Sequence, residues 1–198
     1  MMSFAPWSRP RRAPEGDDVA LLGRVAAGDA QALDQLYRRE AGPVYRYVLA
    51  LCGNEAWAAD ATQEAFVVLA TRSAGFDAAR GSLGAWLAGV ARHALAARWR
   101  EGRLESPWPE DDEAVLGADP VSPESALVQV QDLSELWAAL RALPAPFREA
   151  LVLVDLQERP YAEAARIAGI EINTLRTRLH RARAKLAARL GAADGSPR

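Results

Sequence analysis

Residues 104–125 constrain the fold of this chain more than any other segment, because they cannot join a folded core. The segment carries four prolines and seven acidic side chains. Repulsion between like charges and the missing backbone donors of proline keep such a segment extended and flexible. The rest of the chain must then fold as two small units, residues 17–103 and 126–190, with tails at 1–16 and 191–198.

Both units have the apolar spacing of α-helices. Apolar residues recur every three or four positions, and no stretch alternates between apolar and polar. In the first unit we predict helices over 17–27, 30–51, 54–71 and 82–100, with Asn54 and Ser82 as N-caps and a kink near Pro43. The predicted fold class is all-α: an N-terminal helical bundle and a C-terminal helix-turn-helix module, joined by a flexible acidic linker.

Composition excludes several classes of protein. Half of the residues are apolar, a quarter are charged and the net charge is −2, but no apolar run is long enough to span a bilayer. The single cysteine, Cys52, rules out an internal disulfide and argues against a zinc cluster, and it favours a reducing cytoplasm. No phosphate-binding glycine loop, nucleophile motif or metal-ligand spacing is present, so we expect neither an enzyme nor a cofactor.

The near-neutral net charge hides an uneven distribution. Residues 17–103 hold ten basic and ten acidic side chains, residues 104–140 hold nine acidic and no basic ones, and residues 141–190 hold ten basic and five acidic ones. A basic module beside an acidic segment points to a nucleic acid partner at the basic end of the chain.

The basic module contains helix-turn-helix spacing. Pro160 suits the first turn of a short helix, residues 161–167, and a long helix follows from about Ile172. Ala165 allows close helix packing, Gly169 suits the turn, and Leu175 closes the helix pair.

The long helix has one apolar and one polar face. At 100° per residue, its apolar stripe faces the core; it comprises Ile172, Leu175, Leu179, Ala182, Leu186 and Leu190. The opposite ridge carries Asn173, Thr177, His180 and Arg181, with Arg176, Arg183, Arg178 and Lys185 along its two flanks. Such a helix fits a major groove, with the ridge at the base edges and the flanks at the phosphates. The alternative is a solvated basic helix that only packs.

Residues 143–186, LPAPFREALVLVDLQERPYAEAARIAGIEINTLRTRLHRARAKL, resemble the promoter-recognition module of bacterial sigma factors of the extracytoplasmic-function group. Ala164 is one departure, since the family usually has a larger aliphatic residue there. The resemblance implies that the long helix reads the −35 promoter element, through Asn173, Thr174, Arg176, Thr177, Arg178, His180, Arg181, Arg183 and Lys185.

The first unit continues the resemblance. DATQEAF, residues 60–66, is similar to the family's D-x-x-Q-E-x-F segment, which docks on the β′ clamp helices of core RNA polymerase. The resemblance assigns that contact to Asp60, Gln63 and Glu64, and the alternative is ordinary solvated surface. The buried stripe predicted for this helix comprises Ala58, Thr62, Ala65, Phe66 and Leu69.

Residues 76–100, FDAARGSLGAWLAGVARHALAARWR, are similar to the family segment that reads and melts the −10 element. The family aspartate before the paired basic residues is replaced by Ala97. By resemblance the candidates for unpaired bases and the strand backbone are Phe76, Asp77, Arg80, Trp86, Arg92, Arg98 and Arg100. We predict an apolar face of Leu83, Leu87, Val90 and Ala94, with Trp99 on the opposite side, exposed or at an interface.

The resemblance implies a sigma factor whose partners are core RNA polymerase (the β′ clamp helices and the β subunit), promoter DNA and an anti-sigma factor, which in the family is held between the two modules. The alternatives are a stand-alone helix-turn-helix regulator and an enzyme. The acidic linker is either a passive tether or, by resemblance, a nucleic acid mimic in the RNA path of the polymerase. Cys52 is either a packed residue or a redox sensor.

Overall fold

A computed structural model describes residues 15–101 and 133–194. The first range forms helices α1 (Glu15–Ala26), α2 (Ala30–Cys52), α3 (Glu55–Arg72) and α4 (Leu83–Glu101). The second forms α5 (Leu133–Arg141), α6 (Ala145–Leu151), α7 (Tyr161–Ala168) and α8 (Ile172–Asp194), with a π-helical turn, Val152–Leu156, after α6. Neither range contains a strand, which confirms the predicted all-α class.

Short-range hydrogen bonds set the helix boundaries. The Asn54 Oδ1 atom accepts from the Trp57 N–H at 3.0 Å, and the Ser82 Oγ atom accepts from the Ala85 N–H at 3.2 Å. Both predicted N-caps are therefore confirmed. Asp29 caps α2, which is continuous through Pro43 and ends at Gly53, in the left-handed region with φ 66°.

The core of the N-terminal helices, α1–α4, lies where α2, α3 and α4 meet. Tyr47, Leu69 and Leu87 are fully buried there. The predicted stripe of α3 is confirmed, because all five of its members are buried: Ala58, Thr62, Ala65, Phe66 and Leu69.

All four residues of the predicted apolar face of α4 pack in or against the core, but that face is incomplete. Leu83 and Leu87 are fully buried as expected, but Val90 and Ala94 are only half-buried, and the buried row continues through Ala91 and Leu95. Helix α4 packs against α2 and α3 on one side and against α7 on another, so its buried surface is wider than a single stripe. Trp99, predicted on the opposite side, is 8% exposed and packs edge-to-face on Trp57, with ring centroids 6.2 Å apart.

The C-terminal helices, α5–α8, pack around the helix-turn-helix pair. Leu153, Leu175 and Leu179 are at most 1% exposed. Gly169 ends α7 in the left-handed region with φ 70°, and the Ile170 N–H donates to the Ala165 carbonyl at 3.0 Å. The predicted turn is therefore confirmed, and α8 extends to Asp194, four residues beyond its predicted end.

The two sets of helices pack against each other. Helix α4 contacts α7, and α2 contacts α6 and the π-helical turn. Helix α1 begins at Glu15, so the last two residues of the predicted tail 1–16 are helical instead. The predictions for residues 1–14, for the acidic linker 104–125, for residues 126–132 and for residues 195–198 lie outside the described residues.

Candidate nucleic-acid interface

Helix α8 presents a polar ridge opposite its buried leucines. Asn173, Arg176, Thr177, His180 and Arg183 are exposed. Thr174, Arg181 and Lys185 are half-buried along its sides. The ridge and the buried stripe therefore lie on opposite faces, as the helical spacing predicts.

Several of these polar side chains are held in place by neighbours. The Arg176 Nη1 atom donates to Asn173 Oδ1 at 3.2 Å, and its guanidinium lies 5.9 Å from the ring centroid of Tyr161. Arg183 makes two hydrogen bonds to the Asp155 carboxylate, at 3.0 and 2.6 Å, and this contact raises the pKa of Arg183. Such contacts orient long side chains before a ligand arrives, which reduces the entropy lost on binding.

Arg178 is not on an exposed flank, contrary to the helical-wheel prediction. The residue is only 4% exposed. Burial and the charge of Arg92 lower the pKa of Arg178. A helical wheel treats α8 as an isolated helix, so it could not include the tertiary neighbours that bury this flank.

A cavity of about 380 Å³ lies between the loop after α3, the side of α4 and helix α7. Four predicted residues meet there: Phe76, Asp77, Arg80 and Trp86. The Phe76 and Trp86 rings are 6.3 Å apart at 74°, and the Asp77 Oδ1 atom accepts from the Ala79 N–H at 2.9 Å, which fixes the loop. Two aromatic rings beside an arginine can stack an unpaired base and neutralise its phosphate.

The lining also includes a histidine and an arginine that were not predicted as site residues, His93 and Arg166. His93 lies seven residues after Trp86 on the same side of α4, so helical spacing alone could have identified it. Arg166 comes from α7, and its guanidinium lies over Gly81, where a Cβ atom would clash with it. No local pattern could have placed Arg166 there, because it is far from this loop in sequence.

The other predicted −10 residues lie elsewhere on α4. Arg92 is mostly buried, since its side chain is 14% exposed and its Nε atom donates to the Glu149 Oε1 atom at 2.7 Å. Arg98 forms an ion pair with Asp60 and lies over the Trp57 ring, 5.7 Å from its centroid. Arg100 is exposed near the end of α4.

The predicted polymerase-contact residues form an exposed surface on α3. Asp60, Gln63 and Glu64 are all exposed, and Val67 beside them is 47% exposed. Carboxylates around an apolar side chain suit a partner with basic and apolar groups. We call Asp60, Gln63, Glu64 and Val67 the α3 surface.

Cys52 is a half-buried free thiol that donates to the Asn54 carbonyl oxygen at 3.4 Å. Burial raises its pKa, which is opposite to the shift that activates a redox cysteine. Across residues 15–101 and 133–194, no cluster of three or more His, Cys, Asp or Glu side chains could hold a metal ion. In the same ranges no helix is both long and apolar enough for a bilayer span.

Two family models match this chain: "Sigma-70 region 2" over residues 36–104 and "Sigma-70, region 4" over residues 133–186. The first contains the α3 surface and the loop after α3 that lines the cavity, which we call the cavity loop. The second contains α7 and the part of α8 up to residue 186. A helix-turn-helix match alone would fit many regulators, but the region 2 match distinguishes a sigma factor from a stand-alone regulator.

Whole-chain comparisons agree. The chain is 34% identical to the ECF RNA polymerase sigma factor SigE of Mycolicibacterium smegmatis, over 91% of this chain and 69% of that protein. It is 33% identical to SigM of Mycobacterium tuberculosis, over 89% of this chain and 86% of that protein.

Among solved structures, it resembles the sigma factor RpoE of Bartonella quintana, crystallised with the anti-sigma factor NepR. The TM-score is 0.61 at 25% identity, over 80% of this chain and 96% of that chain. The fold of CnrH, solved with the cytosolic domain of CnrY, matches with a TM-score of 0.64 at 24% identity, over 88% and 97% of the two chains. The chain therefore belongs to the extracytoplasmic-function group of RNA polymerase sigma factors.

Proposed function

We propose that this chain binds core RNA polymerase through the α3 surface and directs it to promoters through α8 and the cavity loop. The observation that carries the proposal is the presence of both family regions in one chain. Most of the predicted residues are exposed or gathered at the cavity, with Arg92 and Arg178 as the buried exceptions. As a member of a family of initiation factors, the chain supplies recognition, and the polymerase supplies the chemistry. Its place of action would be the cytoplasm, where the chromosome lies.

The geometry supports a different role for each of the two helix sets. The exposed ridge of α8 is one helix wide and carries hydrogen-bonding side chains, which suits the major groove of a −35 duplex. The cavity lined by Phe76 and Trp86 suits bases taken out of the stack in a melted −10 element. Residues 17–103 would thus serve polymerase binding and −10 opening, and residues 126–190 would serve −35 recognition.

An anti-sigma factor is the proposed regulatory partner. The support is family membership together with the two solved relatives, RpoE and CnrH, whose structures include such a partner or its cytosolic domain. Co-purification from the source bacterium with a tagged chain would identify this partner by mass spectrometry.

Transcription from fragmented genomic DNA with purified core polymerase tests the main proposal. Sequencing of the transcript starts should reveal one −35 and −10 pair upstream of starts that appear only when the chain is added. Random starts, or none, would contradict the proposal.

Matched variants separate the two interfaces. Glu64→Gln on the α3 surface should weaken polymerase binding about tenfold, while Glu55→Gln, an exposed glutamate on the same helix, should leave it unchanged. Arg176→Ala should leave polymerase binding intact but reduce transcription from the mapped promoters. Arg189→Ala, an exposed arginine nearer the end of α8, is its control. Equal loss in a variant and its control would contradict the assigned interface.

A further inference from the structure

A carboxylate lies beside the polar ridge of α8 and contacts one of its arginines. Asp155 accepts hydrogen bonds from the Arg183 Nε atom at 3.0 Å and from the Arg183 Nη2 atom at 2.6 Å. The side chains of Arg183 and Asp155 are 53% and 31% exposed, and an ion pair this exposed adds little to stability. The neighbouring Ala182 is 0% exposed, so apolar packing already fixes this part of α8. Holding the helix in place is therefore not the main effect of the pair.

The backbone that carries Asp155 is anchored in the core. Asp155 lies in the π-helical turn Val152–Leu156, in which Val152 and Leu153 are fully buried. The Gln157 N–H closes the turn by donating to the Val152 carbonyl at 2.9 Å. Turns of this kind are rare and are found frequently at functional sites. Because rigid backbone keeps a side chain in one position, Asp155 is a fixed acceptor beside α8.

The geometry of the pair decides which atoms of Arg183 remain available to a ligand. A guanidinium group has five N–H hydrogens, one on Nε and two on each Nη atom. Asp155 accepts one hydrogen from Nε and one from Nη2. Both Nη1 hydrogens and one Nη2 hydrogen of Arg183 are therefore left to bind a second anion, such as a phosphate oxygen.

Arg183 lies on the flank of α8 that borders the start of α7. Arg176 is two helical turns earlier on the same flank, and its guanidinium lies 5.9 Å from the ring centroid of Tyr161. The hydrogen bonds to Asp155, and more weakly the nearby Tyr161, raise the pKa of Arg183. In a helix-turn-helix the first helix crosses the DNA backbone, so a flank next to α7 faces phosphates.

We propose that Asp155 is a positioning residue for promoter binding, which holds Arg183 with its Nη1 hydrogens toward a backbone phosphate beside the −35 groove. This inference rests on the proposed function of α8. Orienting a long side chain before binding reduces the entropy lost in the complex. Without Arg183, the Asp155 carboxylate would lie unpaired beside the phosphates and repel them. The same carboxylate therefore favours DNA binding only while Arg183 is present.

A double-mutant cycle in the holoenzyme tests this dependence. Full-length variants are assembled with core polymerase, and fluorescence anisotropy measures the Kd for a labelled duplex containing the mapped −35 and −10 elements, at one salt concentration. With Arg183 present, Asp155→Ala should weaken binding about fivefold, and Asp155→Glu, which keeps a carboxylate, should restore most of the affinity. In the Arg183→Ala background, Asp155→Ala should leave binding unchanged or tighten it, because only repulsion is removed. Glu135→Ala, which removes an exposed carboxylate from α5, is the control for net charge.

Three outcomes would overturn the role of Asp155. Tighter binding by Asp155→Ala in both backgrounds would mean that the carboxylate only repels DNA. Equal weakening in both would mean that it supports the fold of the module, and no change in either would remove it from the interface. Circular dichroism checks the helical content of each variant, and Asp155→Asn, with the same sign expected, replaces Asp155→Ala if the alanine variant unfolds.

The cycle also separates this inference from the proposed function. A wild-type holoenzyme that selects no start sites contradicts the proposed function, and the role of Asp155 fails with it. A wild-type holoenzyme that selects its start sites, together with any of the three outcomes above, overturns only the role of Asp155.

Discussion

Asp60 belongs to the α3 surface, yet its carboxylate also pairs with Arg98, so replacing it by asparagine could act through either contact. The side chains of Arg98 and Asp60 are 43% and 52% exposed. Ion pairs this exposed contribute about 0.2–1 kcal/mol to stability, since water screens them. For a chain of this size, a loss of 1 kcal/mol lowers the melting temperature by about 2–4 °C. We therefore expect Asp60→Asn to fold normally and melt at most about 4 °C below wild type.

Polymerase binding should respond differently. If the carboxylate touches the polymerase, Asp60→Asn should weaken binding at least about tenfold, or 1.4 kcal/mol. Arg98→Gln is the matched variant, because it removes the same ion pair and leaves the carboxylate in place. Its melting temperature should fall equally, and its polymerase affinity should stay at the wild-type value. The measurements are thermal circular dichroism and biolayer interferometry with immobilised core polymerase.

Two results would refute this reasoning. Equal weakening by Asp60→Asn and Arg98→Gln would mean that the ion pair positions the surface and that the carboxylate makes no direct contact. Wild-type affinity in Asp60→Asn would remove Asp60 from the polymerase interface altogether.

Two further predictions concern the C-terminal core and the single thiol. Leu175→Ala should lower the free energy of unfolding by about 2–5 kcal/mol in urea titrations, because removing a fully buried leucine side chain leaves a cavity. His180→Ala, on the exposed ridge, should change this free energy little, and similar losses in both variants would contradict the assigned faces. Cys52 should react with Ellman's reagent more slowly at pH 8 in the folded chain than in the chain unfolded in urea, because burial raises its pKa and less thiolate is present. In the folded chain the reaction rate should keep rising above pH 9. Equal rates in the folded and unfolded chain would contradict this prediction.

The pair between Asp60 and Arg98 also joins two predicted interfaces. Asp60 is assigned to the polymerase contact and Arg98 to the −10 strand. In the free chain the Asp60 carboxylate and the Arg98 guanidinium form an ion pair with each other. A basic partner group at Asp60 would release Arg98, so the two proposed contacts are electrostatically compatible rather than competing.

Local patterns in the sequence were sufficient for the helices, the caps at Asn54 and Ser82, and the turn at Gly169. These features depend on hydrogen bonds and side-chain spacing within four or five residues, so the order of neighbouring residues is enough to predict them. The exposed ridge of α8 and the buried stripe of α3 followed for the same reason. Sequence alone could also predict that Phe76, Asp77, Arg80 and Trp86 lie close together, since they fall within a stretch of eleven residues.

Only the tertiary structure decided the surroundings of Arg92, Trp99, Arg166 and Arg178. Arg92 meets a carboxylate 57 positions away, and Tyr47 meets the same carboxylate across 102 positions. Helical periodicity assigns one buried face to each helix, but α4 also packs against α7 from the other half of the chain, and α8 buries Arg178 outside its predicted stripe. Burial of a charged side chain depends on which distant groups can neutralise it, and chain order alone does not reveal those groups.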